Sequence, residues 1–336
     1  MSKRTQLASS LQALGVTRLL AGVRRSPGVL VINHHRIGSA ESERFDRGLF
    51  SATAEQFDEQ LSYLQRHYHV VSLPELQDFI AHPEKLRHFH VMLTFDDGYR
   101  DNHDLAFPML RARGVPATFF LPTFLVGSSY LPWWDVIAYL VRNSKRAALR
   151  LSYPVAAEVP LLRDGDREQA IQQVLRIFKR QKEVSEAKFL SGLSQAAEVA
   201  MPAGNERRFL NWQEAREIIA GGMSIGSHTH SHTILSQLSY EQQREELARS
   251  KRELEAGLES RIDALAYPVG SRAAFNEETV RALRETGYTV AFSHYYGVNA
   301  PAKLNAFDVM RTKPPLDQPL FRLKTSLAAA FNYDWV

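Results

Sequence analysis

The stretch Val91-Met92-Leu93-Thr94-Phe95-Asp96-Asp97-Gly98 decides how this chain is read. A short apolar run ends abruptly in two adjacent carboxylates and a glycine. The run has the length and composition of a buried strand, and Asp-Asp-Gly is the turn that leaves it. Two like charges at the mouth of a buried strand are costly unless something neutralises them. A metal ion does so, provided the rest of the chain supplies further ligands.

On both sides of this strand the pattern alternates. Gly28-Val29-Leu30-Val31-Ile32-Asn33 is another apolar run, ending at His34-His35-Arg36. Thr53 with Gln56 and Ser72 with Glu75 form capping boxes that open helices through Leu61 and Leu76. Helical spacing runs from Asp101 to Arg113 with Gly114 as the stop, and 117–121 is a strand. Further on, strands are predicted at 223–226, 264–267 and 288–292. Helices opened by Asn211, Ser239 and Asn276 separate them, and a last strand end falls at 309–311. Strand and helix in alternation imply a parallel sheet with crossovers. The fold class is α/β, a distorted (β/α) barrel of mostly parallel strands with a helical insertion. Residues 127–207 break the rhythm with three helical patterns and form that insertion in a βα loop, where lids often sit. The expected organisation is an N-terminal helical segment over 1–27 and a single barrel over 28–336. A closing helix is predicted from Phe321 to Phe331.

Composition narrows the function classes. The chain has 336 residues, 44% hydrophobic and 23% charged, which suits one large globular barrel with insertions. Forty-one basic against thirty-seven acidic residues give a net charge of +4, too mild to call for nucleic acid. There is no cysteine, so disulfides and thiolate metal sites are excluded and any metal must use His, Asp or Glu. No stretch approaches the roughly 18 apolar residues of a membrane span, and Leu7 to Leu14 is too broken for a signal core. The expected location is cytoplasmic. Residues 5–23, with Arg18, Arg24 and Arg25, form either a packed helix or an amphipathic one that makes peripheral contact with a membrane.

Polar clusters recur directly after predicted strands: His34-His35, Asp96-Asp97, His228/His230/His232 and the turn at Pro268. In a parallel barrel the carboxyl ends of all strands share one face, so these clusters converge there. His228 and His232 are four residues apart and fall on one side if the loop turns helically. If it is extended, the pair is His228 with His230, or His230 with His232. Either pair with one carboxylate makes a His₂Asp site with positions left for water and substrate. A solvated loop that happens to hold three histidines explains His-x-His-x-His alone, but not its pairing with Asp96-Asp97.

Thr94-Phe95-Asp96-Asp97-Gly98 resembles the first motif of the polysaccharide deacetylases, the NodB-like carbohydrate esterases of family 4. Ser227-His228-Thr229-His230-Ser231-His232 is similar to their second motif. Order and separation also fit, over about residues 28–315. The resemblance implies a distorted (β/α) barrel that uses a divalent metal, usually Zn²⁺, to hydrolyse N-acetyl groups on amino sugars. It implies Asp97, His228 and His232 as metal ligands and Asp96 as the general base. One carboxylate on the metal and its neighbour on the water's proton makes chemical sense of their adjacency. The expected partner is a GlcNAc-type N-acetylated glycan, polymeric or lipid-linked. The alternatives are a non-catalytic glycan binder on the same scaffold and a hydrolase of a non-sugar amide.

The later motifs depart from the family. Its third motif usually carries an arginine, and here that position is Ala266 in Ala266-Tyr267-Pro268-Val269-Gly270. Arg311 is the substitute candidate for holding Asp96, against the alternative of a surface arginine. The fifth-motif histidine has no clean match. His294 follows a strand in a different context. His35, in a segment similar to the Tyr-His-Arg-Ile of one bacterial branch, either assists the leaving amine, contacts substrate or is structural. His35, Tyr267 and Arg311 are the candidate substrate contacts. Trp133-Trp134-Asp135 also resembles that branch, with the tryptophans either stacking on a sugar or packing a helix.

Overall fold

The structure, a computed structural model, describes residues 26–161, 166–181 and 184–313. The helix expected within 1–27, with the membrane contact assigned to it, and the closing helix over 321–331 lie outside the described residues. In chain order the elements are β1 (Gly28–His34), β2 (Arg36–Ile37), β3 (Phe50–Ala52), α1 (Ala54–His67), β4 (His69–Val70), α2 (Leu73–Ala81) and β5 (Phe89–Phe95). A π-helical turn, Asn102–Ala106, leads into α3 (Phe107–Arg113), then β6 (Thr118–Leu121). Next come α4 (Trp133–Asn143), β7 (Ala148–Leu151), β8 (Ala157–Pro160), α5 (Asp166–Arg180) and α6 (Glu186–Ala197). The chain continues with α7 (Trp212–Ala220), β9 (Ser224–Ser227), α8 (Tyr240–Leu258), β10 (Ala264–Ala266), α9 (Glu277–Glu285), β11 (Val290–Phe292) and β12 (Arg311–Thr312).

The main sheet runs β11-β10-β9-β6-β5-β1-β12, with β4 added against β5. Its paired strands are parallel. It is nearly closed. Val309, just before β12, lies parallel to Phe292 of β11. Ser293 N–H donates to the Val309 carbonyl at 2.9 Å, and Val309 N–H donates to the Ala291 carbonyl at 3.0 Å. This is the distorted (β/α) barrel that the alternating pattern implies. Strand β5 is buried along its whole length, which is why it reads as an unbroken apolar run.

Alternate residues of each strand face opposite ways. Val29 and Val31 of β1, Met92 of β5, Ala264 and Ala266 of β10, and Val309 share one apolar cluster inside the barrel. Leu30, Ile32, Val91, Leu93, Phe95, Leu265 and Tyr267 belong to the other, packed under the helices with Phe57, Leu61, Leu110 and Leu254. Capping boxes start α1, α2, α7, α8 and α9, at the residues from which the sequence opens those helices. The helix expected over 101–113 begins instead as the π-helical turn, because Pro108 has no N–H to continue an α-helical ladder.

The chain divides into two compact units. Among the described residues, the barrel unit comprises 26–38, Ser51–Gly127 and 209–313. The second unit is Ser39–Phe50 with Ser128–Arg208. The stretch expected to be helical also holds an antiparallel hairpin of β7 and β8. Leu149, Leu151 and Val159 are its buried positions, a period of two too short to stand out from the flanking loop. Trp133 lies 4.6 Å from Phe178, which lies 5.1 Å from Phe189 (ring centroids). Both tryptophans are buried core residues of this unit, the packing alternative raised above.

Candidate active site

Inside the barrel the inward-facing series turns polar as it reaches the carboxyl ends of the strands. Val29 and Val31 give way to Asn33, Met92 to Thr94 and then Asp96, and Val309 to Arg311. All four polar side chains are buried. They survive burial because they satisfy one another. Arg311 donates from Nη1 to Asp96 Oδ1 at 2.7 Å and from Nη2 to Asp96 Oδ2 at 2.9 Å. Its Nη1 also reaches Asn33 Oδ1 at 3.0 Å, and its Nε reaches the Ser293 carbonyl at 2.9 Å. Asn33 donates from Nδ2 to Asp96 Oδ2 at 2.9 Å and accepts from Thr94 Oγ1 at 2.9 Å. Burial alone would raise the Asp96 pKa. The charge of Arg311 outweighs it and holds the group well below the usual carboxylate range. Asp96 is therefore a fixed carboxylate.

The next residue turns the other way. Asp97 has φ 70° and Gly98 φ 65°, two successive left-handed residues. A Cβ on Gly98 would lie 2.5 Å from Leu121 Cδ2, so both the conformation and the space call for glycine. This turn points Asp97 toward the loop after β9. That loop is not helical. Thr229 (φ 64°) and His232 (φ 58°) are both left-handed, and they fold the segment back on itself. Ser227 Oγ accepts from Thr229 N–H at 3.0 Å, and Thr229 Oγ1 accepts from His232 N–H at 3.0 Å. The fold-back brings His228 and His232 within 4.8 Å, ring centroid to centroid. His230 points elsewhere. Its Nδ1 lies 2.7 Å from Thr123 Oγ1 and 2.9 Å from Glu253 Oε2 on α8. Of the pairs left open by the sequence, only His228 with His232 faces Asp97.

The three side chains suit a divalent cation. Their ligand atoms all lie within 4.8 Å of one another. Asp97 Oδ1 is 3.6 Å from His228 Nε2 and 3.4 Å from His232 Nε2. Atoms bonded at about 2.1 Å to one tetrahedral ion sit about 3.4 Å apart. His228 Nδ1–H donates to the Ala266 carbonyl at 2.7 Å, which fixes the tautomer and leaves Nε2 with its lone pair toward Asp97. Burial also lowers the His228 pKa, against the opposing charges of Asp96 and Asp97, so the ring is neutral as a ligand must be.

The remaining candidates separate. His35 stands one residue beyond β1, in the inward-facing series. Its ring lies 6.0 Å from that of His294. Burial and then the charge of Lys313 hold its pKa well below 6.5, while Asp96 raises it. His294 is held to about 4 by burial and Arg311. Both histidines are thus neutral rings within electrostatic reach of Asp96. Tyr267 does not come to the site through its side chain. Its hydroxyl donates to the Phe307 carbonyl at 2.9 Å, and its ring stacks on Phe275 at 4.2 Å. The cause is parity: Ala266 faces the barrel interior and its successor faces the helices. Arg311 is fully buried on Asp96 rather than lying on the surface. Asn33 and Thr94 were not singled out from sequence, although the period of two places both one step below the reactive end of the inward face.

Fold and site together define a parallel (β/α) barrel with a carboxylate and two histidines gathered at the carboxyl ends of its strands. The chain belongs to the polysaccharide deacetylase family, which it matches over residues 84–145 and 162–291. It is 22% identical over 259 residues to the curated protein YxkH of Bacillus subtilis (strain 168), covering 77% of this chain. The chain spans 61% of the length of that relative. Among solved structures, the Streptococcus pyogenes deacetylase PplD in complex with acetate is similar with a TM-score of 0.58 at 18% identity, covering 91% of this chain and 99% of that one. IcaB from Ammonifex degensii has a TM-score of 0.58 at 21% identity, covering 91% and 98%. These likenesses establish the fold.

Proposed function

We propose that the chain is a metal-dependent de-N-acetylase acting on a GlcNAc-type amino sugar in a polysaccharide or a lipid-linked glycan. The observation that carries this reading is the division of labour between two neighbours. Asp97 converges with His228 and His232, while Asp96 is held as a carboxylate beside them by Arg311. A set of two imidazoles and one carboxylate suits Zn²⁺. Bound there, the cation supplies Lewis acidity, polarising the acetamide carbonyl and acidifying water.

The protein's own groups account for the protons. Asp96 accepts one proton as water attacks the acetyl carbon. The carbon–nitrogen bond then breaks, and the departing nitrogen must gain a proton to leave as an amine. His35 is neutral, so it acts as a relay: one ring nitrogen takes up the proton that Asp96 gained from water while the other releases its own, which leaves Asp96 ionised and the ring neutral again. We assign it the delivery to the leaving amine. The products are acetate and the free amino sugar. A lipid-linked intermediate on the cytoplasmic side is part of the same proposal.

The test is incubation of the zinc- or cobalt-loaded protein with N-acetylated oligosaccharides and lipid-linked glycan intermediates. Acetate release is expected from at least one. A metal-loaded protein that releases none from a broad panel would sink the proposal.

A further inference from the structure

Where β1 ends, its ladder ends too. The last bond across to the neighbouring loop is Asp96 N–H to the His34 carbonyl, at 2.9 Å. His35 lies in the gap before β2, so its backbone groups need partners from outside the sheet. Side chains supply them. Ser51 Oγ accepts from His35 N–H at 3.0 Å, and Asn102 Nδ2 donates to the His35 carbonyl at 2.7 Å. The same amide nitrogen also donates to Asp101 Oδ1 at 3.2 Å. That carboxylate accepts from Ile37 N–H at 3.1 Å and from Arg36 Nε at 2.8 Å. Asp101 and Asn102 thus bracket residues 35 to 37 from one side.

We infer that Asn102 is a positioning residue for His35, its side-chain amide fixing where the imidazole stands relative to Asp96. The inference rests on the proposal that His35 delivers the proton to the leaving amine. Three observations carry it. Asn102 lies six residues after Asp96, where the loop that leaves β5 enters the π-helical turn, so one connection carries the base and the clamp on the proton donor. It opens the π-helical turn, an irregularity of a kind that recurs at functional sites. It is fully buried, yet its Oδ1 has no hydrogen-bond partner among the described residues. The amide is therefore used for its donors, which a carboxylate of the same shape cannot replace.

The leaving group supplies the test, because an amine needs a proton to depart and 4-nitrophenolate does not. Zinc-loaded full-length Asn102→Asp and Asn102→Ala are compared with wild type on an N-acetylated oligosaccharide that the wild type cleaves, and on 4-nitrophenyl acetate. Amide turnover is expected to fall at least tenfold further than ester turnover. The amide KM should stay within about twofold, and zinc should stay at one per chain. Should neither variant fold, Ser51→Ala is expected to give the same amide-selective loss through the opposite face of His35. Equal losses on amide and ester, no loss on either, or loss of zinc would each overturn the inference while leaving the deacetylase reading intact. A wild type that cleaves the ester and no N-acetyl substrate overturns that reading and the inference with it.

Discussion

Arg311 grips Asp96 with both arms of its guanidinium, at 2.7 and 2.9 Å, and neither residue is more than 2% exposed. The pair joins β12, which helps close the barrel, to the turn after β5. Family members usually supply such an arginine from the position of Ala266, on β10. Here it comes from the far side of β11, and the sheet's near closure brings it to the same carboxylate. Removing it leaves a buried carboxylate without its countercharge, which typically costs about 3–5 kcal/mol. Arg311→Met is therefore expected to lower the thermal unfolding temperature sharply. Arg311→Lys retains the charge but loses the fork. It should unfold closer to wild type while its kcat falls about tenfold or more, as read by acetate release.

Asp96→Asn tests the base separately from the fold. The amide has the shape of the carboxylate but cannot take a proton from water. Turnover should fall by about 10² to 10⁴. Because Asp97, His228 and His232 are untouched, the variant should bind one zinc per chain as the wild type does. Calorimetric titration of the stripped protein measures this directly, and loss of zinc binding would move Asp96 into the ligand set.

How much of this was legible in the sequence follows from period and parity. Strand β5 is buried on both faces, so its apolar run and the carboxylates that end it stand out without any alignment. The histidine cluster was equally visible. Its geometry was not, because two left-handed residues, Thr229 and His232, bring the rings together rather than a helical turn. Tyr267 illustrates the cost of one position: its motif neighbour Ala266 faces the barrel interior, and Tyr267 faces Phe275 under the helices. Asn33 at the end of an apolar run looks like any strand-terminating asparagine. Only the register of β1 against β5, Asn33 opposite Thr94, shows that it meets Asp96 and Arg311. The β7–β8 hairpin was lost for want of length.

The histidines predict a sharp contrast in metal binding. With Asp97, His228 and His232 holding zinc as proposed, His228→Ala and His232→Ala each remove one of three ligands, so zinc affinity should fall by orders of magnitude. His230→Ala should retain one zinc per chain, because its ring is engaged with Thr123 and Glu253 rather than with Asp97. Stripping with a chelator should abolish acetate release, and added zinc should restore it. Equal losses for all three variants would contradict the fold-back of the loop.

His34 predicts the acid limb of stability. It faces the helices, stacked on Phe95 at 5.0 Å and edge-on to Phe57 at 5.4 Å. Burial, against the hydrogen bond its Nε2 donates to Gln60 Oε1, lowers its pKa from 6.5 to about 4. Between those values the unfolded chain binds a proton that the folded protein excludes. Stability from this group is therefore complete above pH 6.5, declines as pH falls, and is gone below about 4. The shift corresponds to about 3 kcal/mol at about 1.4 kcal/mol per unit. His34→Leu changes the baseline stability through packing, so the readout is the difference between pH 7 and pH 5 in urea unfolding. That difference should shrink by about 2 kcal/mol relative to wild type. An unchanged difference would mean that His34 is protonated in the folded protein.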